Sequence, residues 1–206
     1  MPLIFSATRR NLNSDVRPMA FPHKNIRRPA THYLGQRSYF ITLCCASRHP
    51  AFANPDRALE LIAEFCHQSL AYHFSVHAYC VMPEHFHALV RGLHPTSDLL
   101  AFVKNLKETT TRRYTSRSQR LLWQKKFHDH ILRQNESIGL IANYIFMNPV
   151  RKGICADPRQ YPFSGSLVHD WKQLILPANG WLPAWKTRSG PSRPLKPRDP
   201  ARIESN

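Results

Sequence analysis

Two histidines separated by one residue form the first chemically suggestive pattern in this chain of 206 residues. His85, Phe86 and His87 lie in a segment rich in β-formers, and residues i and i+2 of a strand project from the same face. Both imidazoles would then point away from the core, while Phe86 packs into it. Imidazole is a common ligand of divalent metals. The pair indicates either the start of a metal site or two ordinary surface histidines.

A tyrosine and an asparagine form a second pattern in a helix-like segment further along the chain. Tyr144 and Asn148 are four residues apart, so on a helix they lie on the same side, one turn from each other. The phenol of Tyr144 is a potential nucleophile, and the amide of Asn148 is a potential metal ligand. Alternatively, Tyr144 is a core tyrosine, and Asn148, which precedes Pro149, only marks the end of the helix.

The elements that must position these side chains alternate between strand-like and helix-like patterns. β-Branched and aromatic residues or alternating polarity mark the strands, and cap residues followed by an apolar periodicity mark the helices. The order β-α-β-β-α-β-α predicts an α+β domain of ferredoxin-like type, with helices packed on an antiparallel sheet. The predicted strands are 38–45, 74–81 and 85–90, the short extended segments are 121–123 and 127–132, and the helices begin at Asn54, at Thr96 or Ser97, and at Asn135.

Two of the predicted helices carry apolar stripes that indicate which side faces the core. In the helix that follows Asn54, the stripe consists of Leu59, Ile62, Cys66 and Leu70. In the next helix, it consists of Leu99, Leu100, Val103 and Leu106.

The charge of the chain points to an anionic partner. It contains 29 Lys and Arg against 13 Asp and Glu, a formal charge of +16, and its isoelectric point is near 10.2. Nucleic acid is the most common large anion for such a protein, although a merely soluble basic protein fits as well. The five cysteines form no CxxC pair, which favours reduced, buried thiols over a zinc ribbon. No apolar run reaches the roughly 18 residues of a membrane span, and we expect an intracellular protein.

Composition divides the chain into a central domain and two basic ends. Residues 1–30 lack periodicity and form a predicted basic arm, and residues 31–170 contain the predicted helices and strands. Residues 171–206 are basic and rich in proline, and we expect part of this tail to be disordered. Such ends either add nonspecific phosphate contacts or increase solubility.

Taken together and in order, the motifs resemble those of the HUH single-tyrosine transposases. In that family two histidines on a strand flank a hydrophobic residue, as they do in Tyr79–Val90 of this chain (YCVMPEHFHALV). The segments 122–133 and 144–153 are similar to the REP-associated tyrosine transposases, a branch of this family, and the resemblance runs from about Arg27 to Phe163. Glu84 departs from the pattern, because the family usually has asparagine before the first histidine. It places an extra carboxylate beside a metal or on the outer face.

The resemblance implies a fold, a reaction and a set of site residues. The fold would be the HUH endonuclease fold, and Tyr144 would attack a phosphate of single-stranded DNA to form a 5′-phosphotyrosine bond. His85, His87 and Asn148 would bind Mg²⁺ or Mn²⁺. The substrate would be a palindromic repeat folded into a hairpin, the REP element, with an unpaired flank. No nucleotide cofactor would be needed, in agreement with the lack of a GxxxxGK[ST] loop.

Basic residues near these motifs are the candidates for DNA contacts. They would bind phosphates along the hairpin and its flank, while Tyr114, Trp123 and Phe127 are either stacking platforms for bases or core residues. Related transposases are dimers and the REP-associated branch resembles a monomer, so we expect a monomer or a homodimer, cytoplasmic and nucleoid-associated. The predicted DNA-binding residues are Arg27, Arg28, Lys104, Lys107, Arg112, Arg113, Lys125, Lys126 and Arg151.

Two other functions are compatible with the sequence. The chain could be a domesticated regulator that binds DNA hairpins with weak or no catalysis, and Glu84 is the only local reason for this alternative. It could also be an unrelated metal hydrolase that uses the histidine pair and does not need Tyr144. Strand cleavage in Mg²⁺ or Mn²⁺ separates the transposase from the regulator, which would bind the hairpin without cutting it.

Overall fold

The computed structural model describes residues 28–116, 121–173 and 181–187. Within these residues the predicted order of the seven main elements is confirmed, and a two-residue strand, two α-helices of four residues and five short 3₁₀ turns are added. Most of the predicted arm and much of the predicted tail lie outside the described residues. The elements are β1 Ser38–Cys44, α1 Pro55–Ala71, β2 Phe74–Met82, β3 His85–Gly92, α2 Leu99–Thr115, β4 His128–Ile131, α3 Ile138–Phe146, α4 Asn148–Arg151, β5 Ser164–Gly165 and α5 Ala184–Thr187.

The strands form one antiparallel sheet of five strands in the order β4-β1-β3-β2-β5. Alternate side chains of each strand project to opposite faces, so the sheet carries two cores. Helices α1 and α2 cover one face and α3 covers the other. This confirms the predicted α+β architecture, and it places β3, which carries the histidine pair, at the centre of the sheet.

Aromatic side chains fill both cores. Under α1 and α2, the Phe65 ring lies 4.9 Å from the Phe86 ring and 5.8 Å from the Phe102 ring, measured between centroids. On the other face, Phe146 of α3 stacks on Trp171 at 4.2 Å. Phe86 thus faces the α1 and α2 side, as the strand pattern predicted, and His85 and His87 face the α3 side.

The apolar stripe predicted for α1 is wrong in part. Leu59 and Leu70 are exposed, with 54% and 74% of their surface accessible, whereas Leu61 and Phe65 are buried. Polar residues occupy the neighbouring buried positions because α1 packs against α2 through side-chain pairs, among them the ion pair between Glu64 and Arg113. The predicted stripe therefore misplaces part of the buried face of α1.

The caps of α2 and α3 lie one to two residues beyond those predicted. Asp98 caps α2, because its carboxylate accepts hydrogen bonds from the backbone N–H groups of Leu100 and Ala101. Ser97 instead donates its hydroxyl to the carbonyl of His73. Ser137, not Asn135, caps α3.

All five cysteines are free, and three of them are buried, which agrees with the predicted reduced thiols. Burial raises the pKa of Cys45 and Cys80 to about 12, so these two thiols are unreactive at neutral pH. Among the described residues, no helix has the length and the apolar character needed to cross a membrane.

Candidate active site

The register of the sheet places the histidine pair among defined neighbours. His87 lies opposite Thr42 of β1 and Cys80 of β2, and His85 lies opposite Cys44 and Met82. The two imidazole rings meet edge to face, with 4.5 Å between their centroids. Both side chains are buried, at 6% and 4% accessibility for His85 and His87. The surface-histidine alternative is therefore wrong.

A hydrogen bond fixes the orientation of His87. Its Nδ1 lies 2.8 Å from the hydroxyl oxygen of Thr42, in a buried position. The tautomer that donates from Nδ1 to Thr42 leaves Nε2 with a free lone pair. A metal-binding histidine needs this kind of arrangement, with one nitrogen bonded to the protein and the other available.

His85 lies beside a carboxylate instead of a hydroxyl. Its Nδ1 is 3.3 Å from Oε1 of Glu84, a distance within ion-pair range. This buried nitrogen makes no hydrogen bond within the described part of the chain. Glu84 is half-buried, so its carboxylate stands beside the imidazole rather than on the outer face. The residue that departs from the family pattern thus belongs to the site.

Burial keeps both imidazoles neutral. It lowers the pKa of His87 well below its ordinary value, and the positive charges of Lys186, Arg151 and Arg48 lower this pKa further. Burial also lowers the pKa of His85, against the opposing effect of Glu84. A neutral imidazole keeps the lone pair that a metal ligand requires.

Histidines and carboxylates alone do not complete a metal site. The described residues contain no group of three or more His, Cys, Asp and Glu side chains that could hold a metal ion. A cation at the histidine pair would need a ligand of another type, and Asn148 offers an amide. Both amide hydrogens of Asn148 are used inside the helix, because Nδ2 donates to the carbonyls of Tyr144 and Ile145 at 3.1 and 3.0 Å. Its Oδ1 is the atom left for a ligand.

The helix end explains this arrangement of Asn148. Proline has no N–H, so Pro149 cannot donate to the carbonyl of Ile145, which an uninterrupted helix would require. The Asn148 side chain supplies that donor instead. The Asn-Pro pair therefore ends α3 and at the same time orients the amide.

Phe40 joins the nucleophile candidate to the histidine pair. Its ring centroid lies 5.4 Å from that of His87 and 6.1 Å from that of Tyr144. Tyr144 is buried, at 8% accessibility, and projects from α3 onto the sheet face that carries both histidines. The two patterns recognised in the sequence thus meet on one face of one sheet.

Arg151 of α4 contacts both the ring and the backbone of Tyr144. Its guanidinium carbon lies 4.1 Å from the centroid of the Tyr144 ring, and its Nη2 donates to the Tyr144 carbonyl at 2.7 Å. Burial raises the pKa of Tyr144, while the charge of Arg151 lowers it. Arg151, predicted as a DNA-binding residue, is therefore placed to stabilise a phenolate.

A strained turn places a further cation near the histidines. Ser47 and Arg48 both have positive φ, 52° and 55°, a conformation that costs about 1–3 kcal/mol in residues other than glycine. The turn is tied to the loop before β3, because Cys45 N–H donates to the Glu84 carbonyl at 2.9 Å. Arg48 is exposed and acts on the pKa of both histidines. No motif in the sequence identified this arginine.

Part of the predicted tail also reaches the site. The Trp185 ring stacks on His130 with 3.7 Å between centroids, and it lies 5.7 Å from the Phe40 ring. Lys186 Nζ lies 5.9 Å from the centroid of Phe40. The packed part of the chain therefore continues beyond residue 170, where composition alone placed the end of the domain.

Two of the predicted DNA-binding residues bond to other elements of the fold. Lys107 Nζ donates to the backbone carbonyls of Gln124 and Lys125, at 2.8 and 3.0 Å. Arg113 pairs with the buried carboxylate of Glu64 at 2.9 Å. The proposed stacking aromatics Tyr114, Trp123 and Phe127 are likewise buried core residues.

The remaining candidates for DNA contacts lie on the surface at two places. One group lies on α2, and the other flanks β4; Arg27 is outside the described residues. The exposed candidates are Lys104 and Arg112 on α2, and Arg28, Lys125 and Lys126 near β4.

Comparison with known proteins gives a consistent set of relatives. The family described as "Transposase IS200 like" matches residues 34–148, more than half of the chain. A Haemophilus influenzae protein with the name REP-associated tyrosine transposase is 24% identical over 150 residues, 68% of this chain and 84% of that protein. The REP-associated tyrosine transposase of Escherichia coli K12 is 26% identical over 91 residues, 44% of this chain and about half (53%) of that protein.

A solved structure shares the fold. It is that of a REP-associated tyrosine transposase bound to a REP hairpin, and it superposes with a TM-score of 0.57 at 22% identity. The match covers 67% of this chain and 79% of that one.

The lowered pKa of His87 predicts a pH dependence of stability. Folded His87 stays neutral while the unfolded chain binds a proton near pH 6.5, so the free energy of unfolding falls as the pH drops below about 6.5. The variant His87→Gln should lack this contribution, at most about 1.4 kcal/mol per pH unit. Urea unfolding in EDTA between pH 7 and pH 5 measures both slopes. Equal slopes for the native protein and the variant would contradict the prediction.

Proposed function

The chain belongs to the IS200-like transposase family, and we propose that it cleaves and rejoins single-stranded DNA beside hairpin-forming repeats through a covalent bond to Tyr144. The observation that supports this most directly is the meeting of Tyr144 and the histidine pair around Phe40. A metal hydrolase would use the histidines alone and would have no need for a phenol beside them. The family match and the position of Tyr144 both favour the transposase.

The proposed reaction is a transesterification. The phenol of Tyr144 loses its proton as its oxygen attacks phosphorus, and the bond from phosphorus to the 3′-oxygen breaks. The products are a 5′-phosphotyrosine and a 3′-hydroxyl, which gains a proton. Attack by the 3′-hydroxyl of a second DNA end reverses the step and joins the strands. The phosphodiester bond energy is kept in the covalent intermediate, so no nucleotide cofactor is required.

In the proposed reaction, Arg151 stabilises the phenolate of Tyr144 and holds the Tyr144 backbone. The free phenol has a pKa near 10, and burial raises the pKa of Tyr144 further, so the proton is held tightly. The guanidinium over the ring favours the negative form of the oxygen. Its hydrogen bond to the Tyr144 carbonyl also links α4 to the residue that attacks.

The residues around the histidine pair fit a divalent cation. The proposed ligands are the ring nitrogens of His85 and His87 and Oδ1 of Asn148. The carboxylate of Glu84 lies beside His85, and oxygen ligands suit Mg²⁺ and Mn²⁺. When bound, the ion would polarise the scissile phosphate and orient it for attack. The two imidazoles and the amide are neutral, and the Glu84 carboxylate would offset at most one of the ion's two charges, so positive charge stays available to the phosphate oxygens.

A hairpin with an unpaired flank is the substrate that the relatives and the charge support. The solved structure of similar fold is bound to a REP hairpin, and both relatives carry the REP-associated name. The formal charge of +16 suits a polyanion. Chemistry at a buried tyrosine also requires a strand that can leave the duplex.

Tyr144→Phe tests the nucleophile. The change removes only the hydroxyl, so the fold and hairpin binding should persist while the covalent adduct with a labelled single strand disappears. Denaturing gel electrophoresis after incubation with Mn²⁺ measures the adduct. Adduct formed by the variant would exclude Tyr144 as the nucleophile, and hairpin binding by the native protein without any cleavage would favour the regulator.

Thr42→Val tests the metal site. Loss of the hydroxyl leaves Nδ1 of His87 without its partner, and we expect Mn²⁺ affinity to fall about 10- to 100-fold, measured by calorimetry. Thr42→Ser keeps the hydroxyl and should bind Mn²⁺ as the native protein does.

The double variant His85→Ala/His87→Ala should not bind Mn²⁺, and EDTA should stop cleavage by the native protein. Cleavage that survives both treatments would refute the metal site.

Competition between DNA forms tests the substrate. Electrostatic attraction alone binds all DNA and weakens steeply with salt, whereas base and shape contacts add a preference that salt does not remove. A hairpin with an unpaired flank should therefore compete better than plain duplex or scrambled single strand at about 0.15 M salt. Fluorescence anisotropy measures the three affinities. Equal values would leave only a nonspecific basic protein.

A further inference from the structure

A basic groove runs along the edge of the sheet beside β4. It has a volume of about 660 Å³, and it is bounded by the 3₁₀ turn Ala30–Tyr33, the residues before β1 and the whole of β4. Its four cationic side chains are exposed and come from four separate stretches of the chain. They are Arg28, Arg37, Lys126 and Arg133.

The side chains that line the groove carry an excess of positive charge. Asp129 supplies the only carboxylate among the residues that line it. The Tyr33 hydroxyl donates to this carboxylate at 2.7 Å, which spreads part of its charge into the protein. A groove with four cations and one carboxylate suits a chain of phosphates.

One row of paired residues connects the groove to the candidate active site. Thr42 lies opposite His87 on one side and opposite His128 on the other. All three project from the same face, and His128 also lines the groove. Neighbouring strands are about 4.8 Å apart, so His128 lies about 10 Å from the histidine pair. At about 3.4 Å per nucleotide, three stacked nucleotides cover this distance.

The geometry points to a binding site for the unpaired flank of the DNA substrate, with its phosphates on the four cations of the groove. This inference rests on the proposed function, since it assigns the path of the strand whose phosphate meets Tyr144. The groove continues the line from the histidine pair across Thr42 and His128 to the edge of the sheet. The strand leaves the site along that line.

An unpaired strand fits this groove better than a duplex stem does. Within the described residues, β4 pairs on one side only, with β1. The other side of β4 therefore presents backbone N–H and C=O groups along the groove. Unpaired bases have free edges that bond such groups, whereas the base edges of a stem are used in pairing.

The double variant Arg37→Ala/Arg133→Ala tests the inference. Both side chains are exposed, so the fold should not change, and the melting temperature checks this. Affinity is measured for one hairpin with the flank and for the same hairpin without it. We expect the variant to bind the flanked hairpin about tenfold more weakly and the bare hairpin as the native protein does. The salt dependence of binding to the flanked hairpin should also fall, by about 0.7 in log–log slope for each phosphate that the variant no longer neutralises.

A matched variant controls for the loss of two charges. Lys104→Ala/Arg112→Ala removes two exposed cations from α2, none of whose residues lines the groove. It should leave the affinity gained from the flank unchanged. If Arg37→Ala/Arg133→Ala lowers the affinity for the flanked and the bare hairpin equally, the groove binds the stem. If it changes neither affinity, the groove does not bind the DNA. Both results overturn the inference.

The same measurements separate this inference from the proposed function. If the native protein prefers the hairpin and gains affinity from the flank, the proposed substrate stands, and the groove variant alone decides the path of the strand. If the native protein shows no preference for the hairpin, the proposed substrate fails and the groove assignment fails with it. Adduct formation at Tyr144 is scored separately in each case.

Discussion

The hydrogen bond between Thr42 and His87 ties the candidate active site to the register of the sheet. Because β1 and β3 are central strands, this one pairing decides which side chains stand opposite the imidazole, and a slip by one residue would turn both histidines into the α1 and α2 core. The same bond selects which ring nitrogen is free. Phe40, two residues before Thr42 on the same face, then brings Tyr144 to the histidines. The position of Tyr144, the proposed nucleophile, therefore follows from sheet pairing.

The cations at the site outnumber the carboxylate of Glu84, so a bound anion makes the electrostatics more favourable. Two neutral imidazoles lie among the charges of Arg48, Arg151 and Lys186, and these like charges repel each other in the free protein. The strained backbone at Arg48 adds a further unfavourable contribution. A phosphate group supplies the negative charge that relieves this repulsion. Under the proposed function, DNA binding would offset part of this unfavourable energy.

Local patterns in the sequence predicted the parts of the site that lie on regular elements. The spacing of His85 and His87 on a strand, and of Tyr144 and Asn148 around a helix end, was sufficient to place each pair on one side. The stripe of α1 was wrong because that helix buries polar side chains against α2, and an apolar count does not register a buried Glu64. Arg48 and Trp185 reach the site through a turn and through a segment distant in sequence, and neither has a local signal.

The junction of α3 and α4 is where folding and chemistry depend on the same atoms. Pro149 removes the N–H that would have satisfied the Ile145 carbonyl, and a buried carbonyl without a partner costs about 1–3 kcal/mol. The side-chain amide of Asn148 donates to the Ile145 carbonyl in place of that N–H, and it also donates to the Tyr144 carbonyl. Arg151 donates to the Tyr144 carbonyl as well. The amide cannot turn away from this position without losing both bonds, so Oδ1 keeps a fixed direction. An aspartate at this position would lack the two donors, and it would disorder the helix end and the backbone of Tyr144 together. The spacing of tyrosine, asparagine and proline is therefore a requirement of the helix end as much as of the proposed reaction.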